Sequence, residues 1–408
     1  MDISGLSVHQ PPAIINAAPT RATTATSVPA PPPAPGDEVQ LSTSSTSPPP
    51  SFQSRNVTEL KRLAERFTRV ESGLGNLGGV LGKIASDTMA GVRFAAYGEL
   101  YLAEQRIVEA REANWNPLDK LPVPQITRPF VLIPGWTTSP SNFQRLTDYL
   151  TRGGANGGPT VFVKMGKFYS LGSNGQLQPM AGTPSKSRVF EIVWSDTHQS
   201  PDKNLPEMRQ NLDAISHATG YDKLDAEAYS MGGQDMRLYV DRGGDRLNRV
   251  MTLGTPNHGT RFGDMVLDVL NNHVTWAEKL GGVSEADRQS MEWLRSEPNN
   301  PHLQDLNSRW AQQQAKVPML LVGTDCMPTA ANDADGLAWG DGLVDSSSIS
   351  MPDSHSLIVP TGMDHGQLND SDTVAHIRAT YFGWPLPPGT SSLFPASDSQ
   401  LINNVPRP

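Results

Sequence analysis

The stretch Leu224-Asp225-Ala226-Glu227-Ala228-Tyr229-Ser230-Met231-Gly232-Gly233-Gln234-Asp235 joins two textures. Its first six residues form a short run of the strand type, and from Gly232 to Asp241 the spacing is helical. Ser230 stands at the junction, with Ala228 two residues before it and Gly232 two residues after. A strand that turns sharply into a helix holds its junction residue in a strained backbone conformation. Large side chains at the two flanking positions would collide there. The serine oxygen then projects above the sheet. The N–H of Met231, at the helix N-terminus, points into the same space and is suited to stabilise a negative oxygen. Ser230 is therefore the candidate nucleophile.

On either side of this stretch, similar short runs occur at Phe130–Ile133, Val161–Val163, Val189–Trp194, Val250–Leu253, Pro318–Gly323 and Ser356–Val359. Helical patterns lie at Ser141–Leu150, Leu205–Thr219, Gly232–Asp241 and Thr373–Tyr381. Strand alternating with helix predicts an α/β fold, a mostly parallel sheet with helices on both faces. Phe168–Pro179, with Gly172-Ser173-Asn174-Gly175 at its centre, reads as a hairpin inserted into that scheme. The run Phe130–Ile133 ends at Pro134-Gly135, ahead of the serine strand. An early strand exit of this kind supplies a second oxyanion donor, the N–H of Trp136 or of Thr137, with Trp136 preferred.

Of the 408 residues, 37% are hydrophobic and 18% charged, with 35 prolines and 36 glycines, values low for a single globule. The oddity is concentrated in residues 1–55, where Pro29, Pro31, Pro32, Pro33, Pro35, Pro48, Pro49 and Pro50 stand among Ser, Thr and Ala. This leader is expected to be disordered, because it cannot bury enough apolar surface to offset chain entropy. It lacks the basic start and apolar core of a Sec signal peptide. Residues 56–115 carry helical stripes such as Val57, Leu60, Leu63, Ala64 and Phe67, which predict a helical extension. Residues 384–408 read as a Pro-rich, loosely ordered tail. The 33 basic residues against 42 acidic ones leave a net charge of -9, which argues against a general nucleic-acid binder. Cys326 is the only cysteine, so neither an intramolecular disulfide framework nor a Cys-rich zinc site is available. No apolar run is long enough for a membrane-spanning helix.

The segments Ile133-Pro134-Gly135, Tyr229-Ser230-Met231-Gly232-Gly233 and Thr252-Leu253-Gly254-Thr255-Pro256-Asn257-His258-Gly259 resemble the α/β-hydrolase superfamily, specifically bacterial lipases. The resemblance covers residues 125–383. Ala228 stands where most members have Gly, as in the small minimal lipases, and Tyr229 stands where His is common. The resemblance implies a triad in the chain order Ser, acid, His. Candidate acids are Asp325, Asp333, Asp335, Asp341 and Asp345. Gly340-Asp341-Gly342-Leu343-Val344 resembles the Asp-Gly-Leu-Val segment that carries the acid in bacterial lipases, which favours Asp341, with Asp325 next. The base should follow the next strand-like run, which selects His365 over His258, His355 and His376. Some bacterial lipases hold a structural calcium through an Asp two residues after the His. Gln367 occupies that position here, so no metal and no cofactor is expected. His198, near Asp196 and Asp202, reads as part of a polar loop.

Residues 260–315 hold helical stripes that fit a lid over the serine, and an apolar lid suits acyl chains. The expected activity is that of a carboxylic ester hydrolase acting on lipid or phospholipid esters. Acyl transfer by the same triad, or a cleft that mainly binds a partner, are the alternatives. The amphipathic segment 56–115 allows contact with a membrane surface, although its charges are mixed. The Ser/Pro/Thr-rich leader resembles the N-termini of bacterial type III secreted effectors. Export by an uncleaved route therefore stands beside the plainer reading of a linker or tail on a cytoplasmic protein.

Overall fold

A computed structural model of the chain describes residues 117–408, apart from 138–139, 141, 273–282, 326, 331–336, 360–363 and 395–397. The leader 1–55, the helical extension 56–115, Cys326, Asp333 and Asp335 lie outside the described residues.

Each short apolar run becomes a strand, because a brief stretch of Val, Ile, Leu and Phe can be buried on both faces at once. In chain order the strands are β1 (Phe130–Ile133), β2 (Val161–Lys164), β3 (Lys167–Leu171), β4 (Leu177–Pro179), β5 (Val189–Ile192), β6 (Leu224–Tyr229), β7 (Leu247–Leu253), β8 (Met319–Gly323), β9 (Met327–Ala330), β10 (Leu337–Gly340) and β11 (His355–Ile358). Nine of them form one sheet in the order β11-β8-β7-β6-β1-β5-β2-β3-β4. From β11 to β2 every pairing is parallel, and β3 and β4 continue the edge in antiparallel sense. The longer helices are α1 (Gln144–Thr151), α2 (Pro201–Thr219), α3 (Met231–Asp241), α4 (Arg261–Asn272), α5 (Arg288–Leu294), α6 (Pro301–Ser308), α7 (Trp310–Lys316), α8 (Asp372–Phe382) and α9 (Ser399–Asn403).

The period-2 alternation of strands divides the core between the two faces. Phe130 and Leu132 of β1 pack with Leu146 and Leu150 of α1 and with Ile377 and Tyr381 of α8. Val131 and Ile133 point the other way, toward Met208, Leu212 and Ile215 of α2 and Met236 and Val240 of α3. Glu227, on the serine strand, is buried and takes a bidentate contact from the equally buried Arg378 of α8, at 2.5 and 2.8 Å. Arg237 of α3 is also buried. Its guanidinium donates to three amide oxygens, those of Gln313, Asn257 and Asn307, and lies 5.1 Å over the Trp310 ring. Burial pulls its pKa down to about 9.

Four features depart from the sequence reading. The hairpin expected at Phe168–Pro179 exists as β3–β4, but it is not a separate insertion. A second tight turn at Met165-Gly166, both with positive φ (49° and 68°), folds β3 back onto β2 and makes the hairpin the sheet's outer edge. A methionine at positive φ gives no turn signal in sequence; Asn211, whose Oδ1 accepts the Gly166 N–H at 2.7 Å, helps hold it. The antiparallel ribbon β9–β10 was not anticipated, because Pro328 makes its first strand look like a loop. The described residues of 260–315 divide between two packing sites. Met265, Val266 and Leu270 of α4 and Met291 and Leu294 of α5 pack onto Met231, Trp136 and Phe262. Leu303 and Leu306 of α6 instead pack on Leu238 of α3, and α7 supplies Gln313 to Arg237. Nor is the tail loose. Phe394, Ile402 and Val405 are buried in the main core, and Arg249 donates to the carbonyls of Pro406 and Arg407.

Candidate active site

Ser230 lies between β6 and α3 with φ 55° and ψ -131°, a left-handed conformation that costs a non-glycine residue about 1–3 kcal/mol. The surroundings fix it there. The Ser230 N–H donates to Leu253 O at 2.9 Å, and its carbonyl accepts from Gly233 N and from Thr255 Oγ1, each at 3.0 Å. The glycines around it are sterically required. A Cβ on Gly232 would stand 2.6 Å from the carbonyl oxygens of Ile133 and Pro134, and one on Gly233 would lie 2.0 Å from Thr255 Oγ1. A Cβ on Gly135 would lie 2.8 Å from Ser230 Cβ, so the exit of β1 runs directly against the serine. Ser230 is half-buried.

His365 and Asp341 meet the serine in a single chain of contacts. His365 Nε2 is 2.9 Å from Ser230 Oγ, and His365 Nδ1 is 2.7 Å from Asp341 Oδ2. With Nδ1–H donating to the carboxylate, Nε2 is the acceptor for the serine hydroxyl. Asp341 is 1% exposed and His365 5%. The other Asp341 oxygen, Oδ1, accepts the N–H groups of Leu343 at 3.0 Å and Val344 at 2.8 Å. Gly342, at φ 96°, allows the chain to curl around the carboxylate, and its N–H donates to Thr329 Oγ1 of β9 at 2.8 Å. The unanticipated ribbon therefore braces the acid loop.

Two features of the site were hidden in sequence. Tyr229, the residue in place of the more common His, donates its hydroxyl to the His365 carbonyl at 2.7 Å, and the Asp341 carbonyl accepts the His365 N–H at 2.8 Å. The histidine backbone is thereby tied on both sides. Gly254, at φ 60°, lies where a Cβ would stand 3.1 Å from Asp341 Oδ2 and 3.2 Å from His365 Cε1. A side chain there would press on the pair, and the positive φ would strain it.

The competing residues go elsewhere. Asp325 is exposed at the end of β8. Asp345 caps a short turn by accepting Ser348 N at 2.9 Å. His258 contacts Glu297 through Nδ1 and the Ser350 carbonyl through Nε2 at 2.9 Å. His355 lies exposed at the start of β11, and His376 stacks on Phe394 beside Asp398. Of the two candidate amides after β1, that of Thr137 donates to Thr197 O at 3.0 Å. His198 is part of a polar loop, its N–H donating to Asp196 Oδ1 at 2.9 Å, but its ring also reaches the buried Asp287. The Gln367 N–H donates to Asp364, and among the described residues no group of three or more His, Cys, Asp or Glu is arranged to hold a metal ion.

No family model matches the chain, and no curated protein matches it either. Among solved structures it is similar to the Bacillus licheniformis lipase BlEst2 in mature form, at 17% identity and a TM-score of 0.40, covering 60% of this chain and 87% of that one. It is also similar to the lin2722 product of Listeria innocua, at 15% identity and a TM-score of 0.40, over 65% of this chain and 97% of that one. A third similarity is to phospholipase PlaB of Legionella pneumophila, at 15% identity and a TM-score of 0.37, over 55% of this chain and 46% of that one. The parallel sheet with helices on both faces, the strained serine between β6 and α3, and the order serine, aspartate, histidine along the chain are those of the α/β-hydrolase fold, and that is the fold of this protein.

Proposed function

We propose that this protein is a serine hydrolase that cleaves carboxylic esters through an acyl-enzyme, with lipid-like acyl chains as its substrates. The observation that carries the reading is the unbroken Ser230–His365–Asp341 chain, at 2.9 and 2.7 Å, on a serine held in strain. In this reading Ser230 Oγ attacks the acyl carbon as its proton passes to His365 Nε2. The N–H groups of Met231 and Trp136 donate hydrogen bonds to the developing oxyanion. His365 then protonates the leaving alcohol, and the carbon–oxygen bond to it breaks. Water gives a proton to His365 as it attacks the acyl-enzyme; the acyl–Oγ bond then breaks as His365 passes that proton to Ser230 Oγ, which frees the acid and restores the serine. Asp341 orients the ring and stabilises its charged form. The preference for lipid-like chains is supported by the apolar cover of Met265, Val266, Leu270 and Met291 beside Trp136 and Phe262.

A fluorophosphonate probe tests the chemistry: wild type is expected to be labelled stoichiometrically and Ser230→Ala not at all. Equal labelling of the two, or none of the wild type, sinks the reading. A p-nitrophenyl ester series tests the substrate class. An optimum below about four acyl carbons would remove the lipid assignment, since an apolar pocket rewards longer chains. Product transfer to an added alcohol, in preference to water, would mark the protein as an acyltransferase instead.

A further inference from the structure

Trp136 has two separate connections to the site. Its backbone follows Gly135, which runs against Ser230. Its indole leaves in another direction, and Nε1–H donates to Asp287 Oδ1 at 2.9 Å. Asp287 belongs to the cover, in the turn Glu285–Asp287 just before α5, and it is fully buried. Its second oxygen is engaged by its own turn, accepting Ser284 N at 2.8 Å and Ser284 Oγ at 3.3 Å. The His198 ring also contacts Oδ1, and Ser290 Oγ of α5 donates to the His198 carbonyl. The loop holding His198 is the one whose Thr197 carbonyl takes the Thr137 N–H. One buried carboxylate thus links the cover, the loop after β5 and the loop after β1.

The position of this link matters because the loop after β1 is strained. Thr137 has φ 53°, unusual for a β-branched residue. Such a conformation persists only when its surroundings over-determine it. The hydrogen bond to Thr197 holds one side, and the indole held by Asp287 holds the other. A donor amide that is a fraction of an ångström out of place loses most of its value to an oxyanion, because the benefit rests on preorganisation.

We propose that Asp287 is a positioning residue: by gripping the Trp136 indole and bracing His198, it fixes the strained Trp136–Thr137 backbone so that the Trp136 N–H stays aimed at the oxyanion above Ser230. This rests on the hydrolase reading given above. Asp287 touches no reacting atom and acts only through Trp136. Its contribution belongs to the transition state, so it falls on kcat and not on KM.

The test is kinetic, with a short soluble p-nitrophenyl ester as substrate and every rate divided by the number of serines titrated to completion with fluorophosphonate. That normalisation removes misfolded protein, so a merely structural role leaves the rate per serine unchanged. Deleting an oxyanion donor costs about 100- to 1,000-fold in kcat, and misplacing one costs less. Asp287→Ala is therefore expected to lose about tenfold to 100-fold in kcat, with KM within about twofold. Trp136→Phe keeps a smaller aromatic ring, loses the N–H and should show at least this loss. The double variant should be no slower than the slower single one, because both remove one link. Unchanged kcat per serine in Asp287→Ala or Trp136→Phe, or multiplying losses in the double variant, overturns the proposal. If Asp287→Ala does not fold, the Trp136→Phe result decides. No labelling of the wild type refutes the hydrolase reading and takes this proposal with it, whereas a labelled, active wild type with an indifferent Asp287 refutes this proposal alone.

Discussion

Ser230 and Asp341 illustrate how single residues are made chemically distinct by the backbone around them. The serine is presented by a left-handed φ that its own hydrogen bonds and three glycine contacts enforce. The aspartate is enclosed, with one oxygen committed to two backbone N–H groups and the other to the histidine. This division predicts the behaviour of Asp341→Asn. The retained oxygen still accepts from Leu343 and Val344, so the fold survives. The new NH₂ faces His365 Nδ1 and forces the wrong tautomer, with Nε2–H turned to the serine. On the proposed hydrolase reading, the expected result is a loss of about 10⁴ in kcat, the scale of such a change in Ser-His-Asp proteases. Tm should stay within a few degrees. A large fall in Tm with kcat per titrated serine intact would contradict this account. The turn at Ser230 was legible in sequence because a sharp strand-to-helix junction needs small neighbours. The role of Tyr229 was not, since nothing local says that its hydroxyl meets a carbonyl 136 positions away.

At the scale of elements, strand β6 and helix α8 are joined by a pair of charges inside the core. Glu227 is 0% exposed and Arg378 1%, and they contact each other through two hydrogen bonds. Burying such a pair gains little overall, because desolvation offsets attraction, but leaving one member alone is costly. Arg378→Met should therefore destabilise by about 3–5 kcal/mol, and adding Glu227→Leu to it should restore much of the loss. Urea denaturation of the two variants checks this: a double variant as unstable as the single would show that the pair's charges are not the cause. The strands of the parallel sheet were readable from short apolar runs, with ends that moved by a few residues. The ribbon β9–β10 was missed because proline masks a strand whose pairing is decided by the acid loop it braces. The helices of residues 260–315 were seen, but their destinations were not, since an apolar stripe does not say which face it will cover.

For the whole molecule, buried acids set a pH dependence. Glu191 of β5 is 1% exposed, its Oε2 has no hydrogen-bond partner, and burial raises its pKa well above 4.5. Asp235 of α3 is likewise raised by burial, a shift moderated by the Asn204 amide. An acid whose pKa is higher folded than unfolded binds its proton more tightly when folded. As pH rises past 4.5 the unfolded chain gives up that proton first, so stability falls until the folded group also ionises. Glu191→Gln removes this dependence. The Tm of the variant minus that of wild type should be more positive at about pH 8 than at about pH 4. An equal difference at both would show that Glu191 does not hold its proton in the fold.

The sequence by itself determined the α/β class and the turn that carries Ser230, because both are written in local texture: apolar runs, and small residues beside Ser230. The expected order of serine, acid and histidine came with the resemblance to bacterial lipases. Only the tertiary structure decided the partners. It set Asp341, and not Asp325 or Asp345, against His365, committed the Thr137 N–H to Thr197, buried Phe394, Ile402 and Val405 of the Pro-rich end in the core and brought Asp287 to the indole of Trp136. Composition and spacing describe what a segment can form. Which distant groups then meet is set by how the sheet stacks its crossovers, and that depends on the whole chain.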